Sequence, residues 1–297
     1  MISYIGGKSR MAKWISEYIP DDIETYVEVF GGAFWVYVNG DVHTRPKLQK
    51  VIYNDFNRYM VNLFACCKNP QKFYNSMIDI KAQDEELFYK FKKEVFDDSD
   101  VNDVVLGDYD IGMKYAYIVT QVFSGLNPEK GKFIDLKGKY KSKFDAFRRR
   151  LLKPDIVDKL QKIDICENMD YSDVIKKYDS PTTYFYCDPP YWKTENYYSL
   201  HDFDRKDHEK LCNQLKNIQG KFSLSYYDFD LLGEWLPDND YIWEKREFTK
   251  AASARKNIKQ NKGTELLIMN YKLQEEIVEP EIVEEKNKLI GEFFSND

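Results

Sequence analysis

The segment Thr183 to Cys187 (TYFYC) runs directly into Asp188-Pro189-Pro190-Tyr191, and this junction restricts the possible folds more than any other stretch. The first five residues are β-branched, aromatic or small and apolar, the composition of a buried strand. Each proline lacks a backbone N–H and has a fixed φ, so neither continues a central strand or a helix interior. The strand therefore ends at Asp188. A rigid turn satisfies this pattern, and so does a preformed platform at the carboxyl end of a parallel strand, where open α/β sheets bind ligands.

Upstream, Tyr26 to Phe30 reads as a short strand broken by Gly31-Gly32, with a helix from Ala33. Val51 to Asn54 is a second strand ending at Asp55, and Arg58 to Cys67 is helical. This β-turn-α-β order opens a doubly wound parallel sheet. Helices follow over Pro70–Ile80, Glu85–Phe96 and Ile111–Phe123, with a polar loop from Ser99 to Asp110. Glycines at 131 and 138 mark turns or a hairpin within Asn127–Tyr140. Strand patterns resume at Ile163–Cys166, Thr183–Cys187, Lys221–Ser225, Tyr241–Phe248 and Glu265–Tyr271, with an amphipathic helix over Arg205–Ile218. The expected fold is α/β: a Rossmann-like sheet from 1–61 and 160–297, interrupted by a mostly helical insert over 62–159.

Charge narrows the function. The net charge of −6 argues against a uniformly adhesive nucleic-acid binder, yet Leu126 to Lys153 holds ten Lys or Arg against three acids. Such a stripe in an acidic protein reads as a phosphate-contacting surface, although a solvated face has the same composition. The tail from Glu275 to Glu285 is acidic. Five cysteines with no Cys-x-x-Cys, and three histidines, give no expectation of a metal site. No apolar run is long enough to span a bilayer and no secretory signal is visible, so the expected setting is cytoplasmic.

Gly7-Lys8-Ser9 resembles the end of a P-loop, but the glycine required five residues before Gly7 is Ile2. A loop whose N–H groups and Lys8 meet an anionic ligand group remains, beside a plain N-terminal loop. Phe30-Gly31-Gly32 after the first strand, with Asp55 ending the second, is the arrangement in which nucleoside sites bind ribose hydroxyls. Capping of the next helix is the alternative role for Asp55. Gly-x-Gly-x-x-Gly is absent, which favours a nucleoside without a pyrophosphate; S-adenosylmethionine fits.

Taken in order, Tyr4-x-Gly-Gly-Lys8, Phe30-Gly31-Gly32, Asn54-Asp55, the basic middle block and Asp188-Pro189-Pro190-Tyr191 resemble the Dam-like, alpha-group DNA adenine methyltransferases. The likeness extends to about Tyr271. It implies a seven-stranded Rossmann-like sheet with an inserted target-recognition domain. It implies that Tyr4 and Lys8 meet the methionine end of S-adenosylmethionine, that Glu28, Phe30, Gly31 and Gly32 line its pocket, and that Asp55 holds its ribose. By the same likeness Asp170 accepts from the cofactor adenine, with Tyr171 packed nearby and Asp188 adjoining.

The target adenine must then leave the duplex. Asp188 and the carbonyl of Pro189 would accept from its two N6 protons, Pro190 would hold the turn rigid, and Tyr191 would offer a stacking face. The double-stranded DNA partner would lie on the segment resembling the family's base-reading hairpin, contacted by Lys130, Lys132, Lys139, Tyr140, Lys141 and Lys143. That segment lacks the aromatic-Asn pair of GATC-reading members. Tyr197 and Tyr198 are expected in a loop over the site. Cytosine N4 is an alternative acceptor, being another exocyclic amine, and a catalytically silent DNA-binding subunit is the alternative outside enzymology. No metal is expected, and restriction-modification is an expected context.

Overall fold

The computed structural model describes residues 8–98, 100–122, 127–135, 142–191, 203–249 and 262–273. One sheet contains β1 (Thr25–Glu28), β2 (Lys50–Asn54), β3 (Ile165–Glu167), β4 (Thr183–Cys187), β5 (Lys221–Tyr226), β6 (Ile242–Thr249) and β7 (Lys262–Met269), in the order β3-β2-β1-β4-β5-β7-β6. β3, β2, β1, β4 and β5 pair in parallel, and β7 lies antiparallel between β5 and β6. The chain winds outward from β1 through β2 to β3, then crosses back to β4 on the other side of β1. The switch point is therefore the β1–β4 pair, registered by Glu28 opposite Tyr186. Connections that leave adjacent strands in opposite directions open a crevice at the strands' carboxyl ends. Val29–Gly32 and Asp188–Tyr191 emerge there.

Both faces of the sheet are covered. On one lie α1 (Ala12–Glu17), α2 (Trp35–Asn39) and the helices between β2 and β3: α3 (Arg58–Cys67), α4 (Pro70–Asn75), α5 (Glu85–Phe96), α6 (Tyr109–Gln121), α7 (Lys143–Leu151) and α8 (Pro154–Gln161). On the other lie α9 (Tyr171–Tyr178), α10 (Arg205–Leu215) and α11 (Leu232–Trp235). Local signals account for the long helices. Asp84 caps α5 by accepting from the Leu87 amide at 3.0 Å, and Phe88, Phe91 and Val95 form its buried stripe. Asp204 and Asp207 close a capping box on α10.

Period-2 alternation sorts the strand residues between these faces. Tyr26, Tyr184, Tyr186, Leu267 and Met269 enter the core under α1 to α8, whereas Val27, Phe185, Cys187, Leu266 and Ile268 enter the other. Counting onward by two along each strand places Glu28, Asp188 and Glu265 on the tyrosine face. Three acids thus meet at one end of a face that is otherwise aromatic.

Several expected boundaries shift. The helix expected over 70–80 ends at Asn75, and Met77, Ile78 and Ile80 continue with i→i+3 bonds. Their carbonyls accept from the Arg148 guanidinium at 2.9, 3.4 and 3.1 Å. Arg148, counted in the basic stripe, is therefore spent on the fold. Residues 127–135 contain a turn closed by Gly131 N–H to the Asn127 carbonyl at 2.7 Å and no strand. The border drawn at 62 falls inside α3, and the helices from α3 to α8 share one apolar cluster with the sheet.

Candidate active site

The loop after β1 is tied to both neighbouring strands. Val29 N–H donates to the Tyr186 carbonyl at 3.0 Å and Gly31 N–H to the Asn54 carbonyl at 2.7 Å. A Cβ on Gly31 would lie 2.3 Å from the Tyr53 ring and 2.8 Å from the Asn54 carbonyl oxygen, and Gly32 has a left-handed φ of 46°. The two glycines thus serve different needs, close approach to β2 and a reversal of the chain. Gly31→Ala should lower stability by about 1–3 kcal/mol, because a backbone oxygen cannot rotate away. An unchanged denaturant midpoint would contradict the contact.

Asn54 and Asp55 divide their work. Buried Asn54 donates to the Val29 and Met169 carbonyls at 2.9 and 3.2 Å and accepts from Met169 N–H at 3.0 Å, lacing the ends of β1 and β3 together. Asp55 accepts from the backbone N–H groups of Gly32 at 2.7 Å and Asn57 at 2.7 Å. Burial pushes its carboxyl up to about 6, against the pull of those two amides. The helix cap itself is Asn57, which accepts from Tyr59 and Met60 N–H. Asp55 is left to orient the glycine loop through Gly32.

Asp170 caps α9 through Oδ1, accepting from Ser172 N–H at 2.9 Å. The Tyr171 ring stacks on Phe30 at 5.6 Å, and Phe203 packs against both at 5.5 and 5.8 Å. Sequence reasoning did not single out Phe203. Glu28 is buried and accepts from the Tyr26 hydroxyl at 2.7 Å, and desolvation raises its carboxyl well above the usual range.

The acidic end of the tyrosine face holds one cation. Lys8 Nζ lies 3.0 Å from Asp188 and 3.2 Å from Glu265, and it donates to the Tyr191 hydroxyl. That hydroxyl in turn donates to Glu265. Burial raises both acids, with Lys8 opposing the rise, while the two acids together hold Lys8 protonated against its own desolvation. Lys8, which was expected to reach an anionic ligand group, has Asp188, Glu265 and Tyr191 as partners within the protein. Tyr191 was expected to present a stacking face; its ring is buried on Tyr226 at 5.6 Å and Tyr227 at 4.3 Å. Glu265, absent from the sequence expectations, is the strand acid that completes the group. Its signal was a carboxylate directly before the apolar run Leu266–Met269 of β7.

Pro189 is buried and Pro190 half-buried. Lys130 and Lys132 are exposed and Lys143 half-buried at the start of α7. Tyr4, Lys139, Tyr140, Lys141, Tyr197 and Tyr198 lie outside the described residues. Among the described residues, no cluster of three or more His, Cys, Asp or Glu could hold a metal, and no helix is long and apolar enough to cross a membrane. All five cysteines are free thiols.

A model of the D12 class N6 adenine-specific DNA methyltransferase family matches residues 4–279. The Type II methyltransferase M.CviBI of Paramecium bursaria Chlorella virus NC1A is 24% identical over 283 residues, covering 91% of this chain and 99% of that protein. The modification methylase StsI of Streptococcus sanguinis is 25% identical over 298 residues, and the Type II methyltransferase M.FokI of Planomicrobium okeanokoites 23% over 297. This chain spans 42% of the length of each of those two.

Proposed function

This chain belongs to the D12 class of N6 adenine-specific DNA methyltransferases, and from that membership we propose a Dam-like mechanism seated in the β1–β4 crevice. In this reading the methyl donor is S-adenosylmethionine and the acceptor is an adenine turned out of duplex DNA. Membership in an adenine-N6 family decides against the cytosine alternative, and relatives named methyltransferases decide against a silent subunit. The Type II relatives favour a modification role beside a restriction activity.

The donor set of the crevice suits that cofactor. Glu28, Asp55 and Asp170 stand at the ends of β1 and β2 and after β3, and the Phe30–Tyr171 ring pair follows β1 and β3 at the same end of the sheet. Acceptor-rich walls fit a ligand bearing a diol, an exocyclic amine and positive charge. They do not fit a pyrophosphate. Asp55 would take the ribose, Asp170 the adenine amine through Oδ2, and Glu28 with Gly31 and Gly32 the methionine end, where Tyr4 is also expected. S-adenosylmethionine supplies an electrophilic methyl group on a sulfonium.

The observation that carries the reading is the Asp188 carboxylate, held against Lys8 at the rigid end of β4 beside the switch point. Asp188 and the Pro189 carbonyl would accept hydrogen bonds from the two N6–H groups, leaving the nitrogen lone pair less conjugated with the ring. On taking the methyl group N6 would shed one proton, and Asp188, its carboxyl raised by burial, would be the acceptor for it. Tyr191 in this reading braces the clamp from behind.

The test is a nucleoside digest of unmethylated DNA incubated with the protein and S-adenosylmethionine. N6-methyldeoxyadenosine is expected; binding of the cofactor with no methylated nucleoside would overturn the mechanism. Lys130, Lys132, Lys139, Tyr140, Lys141 and Lys143 are proposed to meet DNA. Lys130→Gln with Lys132→Gln should lower the slope of log K against log salt by about 1.8, near 0.9 per lost phosphate contact. An unchanged slope would move the DNA surface elsewhere.

A further inference from the structure

Glu265 makes no contact with the target amine in the proposed clamp, yet among the described residues it is one of the most enclosed charged groups, at 2% exposure. It enters from β7, a strand that runs against its neighbours and reaches the crevice by its first residues. Two contacts join it to the clamp: the Lys8 ammonium at 3.2 Å and the Tyr191 hydroxyl. Asp188 meets the same ammonium at 3.0 Å. We propose that Glu265 is a positioning residue for methyl transfer, anchoring Tyr191 and sharing Lys8 with Asp188, so that its charge sets how firmly Asp188 holds a proton. This rests on the reading of Asp188 as the acceptor for the target amine.

The groups around Asp188 are Lys8 ahead of α1, Glu28 on β1, Tyr186 on β4, Tyr191 in the turn, Glu265 on β7 and Tyr227 after β5. Among these, Lys8 is the cation. Asp188 and Glu265 are like charges on one ammonium, so beyond the burial that raises both, the charge of each raises the proton affinity of the other. Removing the charge of Glu265 while keeping an oxygen for Tyr191 leaves Lys8 to Asp188. Asp188 then ionises at lower pH.

Glu265→Gln should therefore move the acid limb of the kcat/KM profile downward by about one pH unit, within the range expected for one charge at this distance. Glu265→Asp keeps the charge and shortens the reach. It should leave the acid limb in place and lower kcat about tenfold, with KM for S-adenosylmethionine unchanged. A purely structural residue would lower the melting temperature in both variants and leave the acid limb of each where the wild type has it. An acid limb that is unmoved or moved upward in Glu265→Gln overturns the proposal. Should that variant fail to fold, a normal kcat in Glu265→Asp overturns it instead. The wild type separates the two claims: no N6-methyldeoxyadenosine from it sinks the underlying reading, whereas normal product with an unmoved acid limb sinks the role of Glu265 alone.

Discussion

Asp188→Ala should reduce methyl transfer by on the order of 10³-fold, the scale of losing one preorganised polar partner of a reacting group. Single-turnover measurement with labelled S-adenosylmethionine reads the chemical step directly. Cofactor affinity should change little, because in the proposed mechanism the carboxylate acts on the base. The fold should survive as well. Removing one partner of a buried ion pair normally strands a charge, but Lys8 keeps Glu265 at 3.2 Å and the Tyr191 hydroxyl. Near-normal turnover would remove Asp188 from the mechanism. Loss of folding would show that Glu265 does not suffice as a counter-ion.

The second large effect belongs to Asp55. Its carboxylate offers about four acceptor positions, and the Gly32 and Asn57 amides occupy two. The remainder matches the two hydroxyls of a ribose. Asp55→Ala should weaken S-adenosylmethionine binding by roughly 100-fold, about 3 kcal/mol for two charge-assisted hydrogen bonds. The same site carries a pH dependence. Burial raises this carboxyl to about 6, so its acceptor-only form is lost as pH falls through that value. Binding measured by calorimetry should weaken about tenfold between pH 7 and 5 in the native protein, since about one carboxyl in eleven stays ionised one unit below its pKa. It should weaken much less in Asp55→Ala. A flat profile in the native protein would mean that Asp55 does not hold the ribose.

Much of the fold was legible because it is written in local pattern. The β4 strand and the helices α3 and α5 lie where their composition, caps and periodicity place them. The ordered motifs around Gly31, Asp55 and Asp188 pointed to an adenine-N6 methyltransferase, the family the chain belongs to. Motif order survives in a linear sequence because each motif sits at the end of its own strand. The helix expected over 70–80 was less legible. Beyond Asn75 the chain tightens into i→i+3 turns, and the carbonyls of Met77 and Ile80 that these leave are taken by Arg148, some seventy residues away.

The partners within the site were not legible at all. Lys8 and Glu265 are separated by almost the whole chain, and nothing near Lys8 announces a buried acid. Their meeting follows from the antiparallel entry of β7 beside β5 and from alternation, which turns Glu265 to the face of Glu28 and Asp188. Tyr191 reads as a stacking face beside two prolines, and its ring packs on Tyr226 and Tyr227. The sequence by itself determined most of the strands, the glycine loop and the end of β4 at Asp188, because each depends on a few adjacent residues. The tertiary structure alone decided that the one lysine serves two carboxylates, because electrostatic partners are chosen by distance in space.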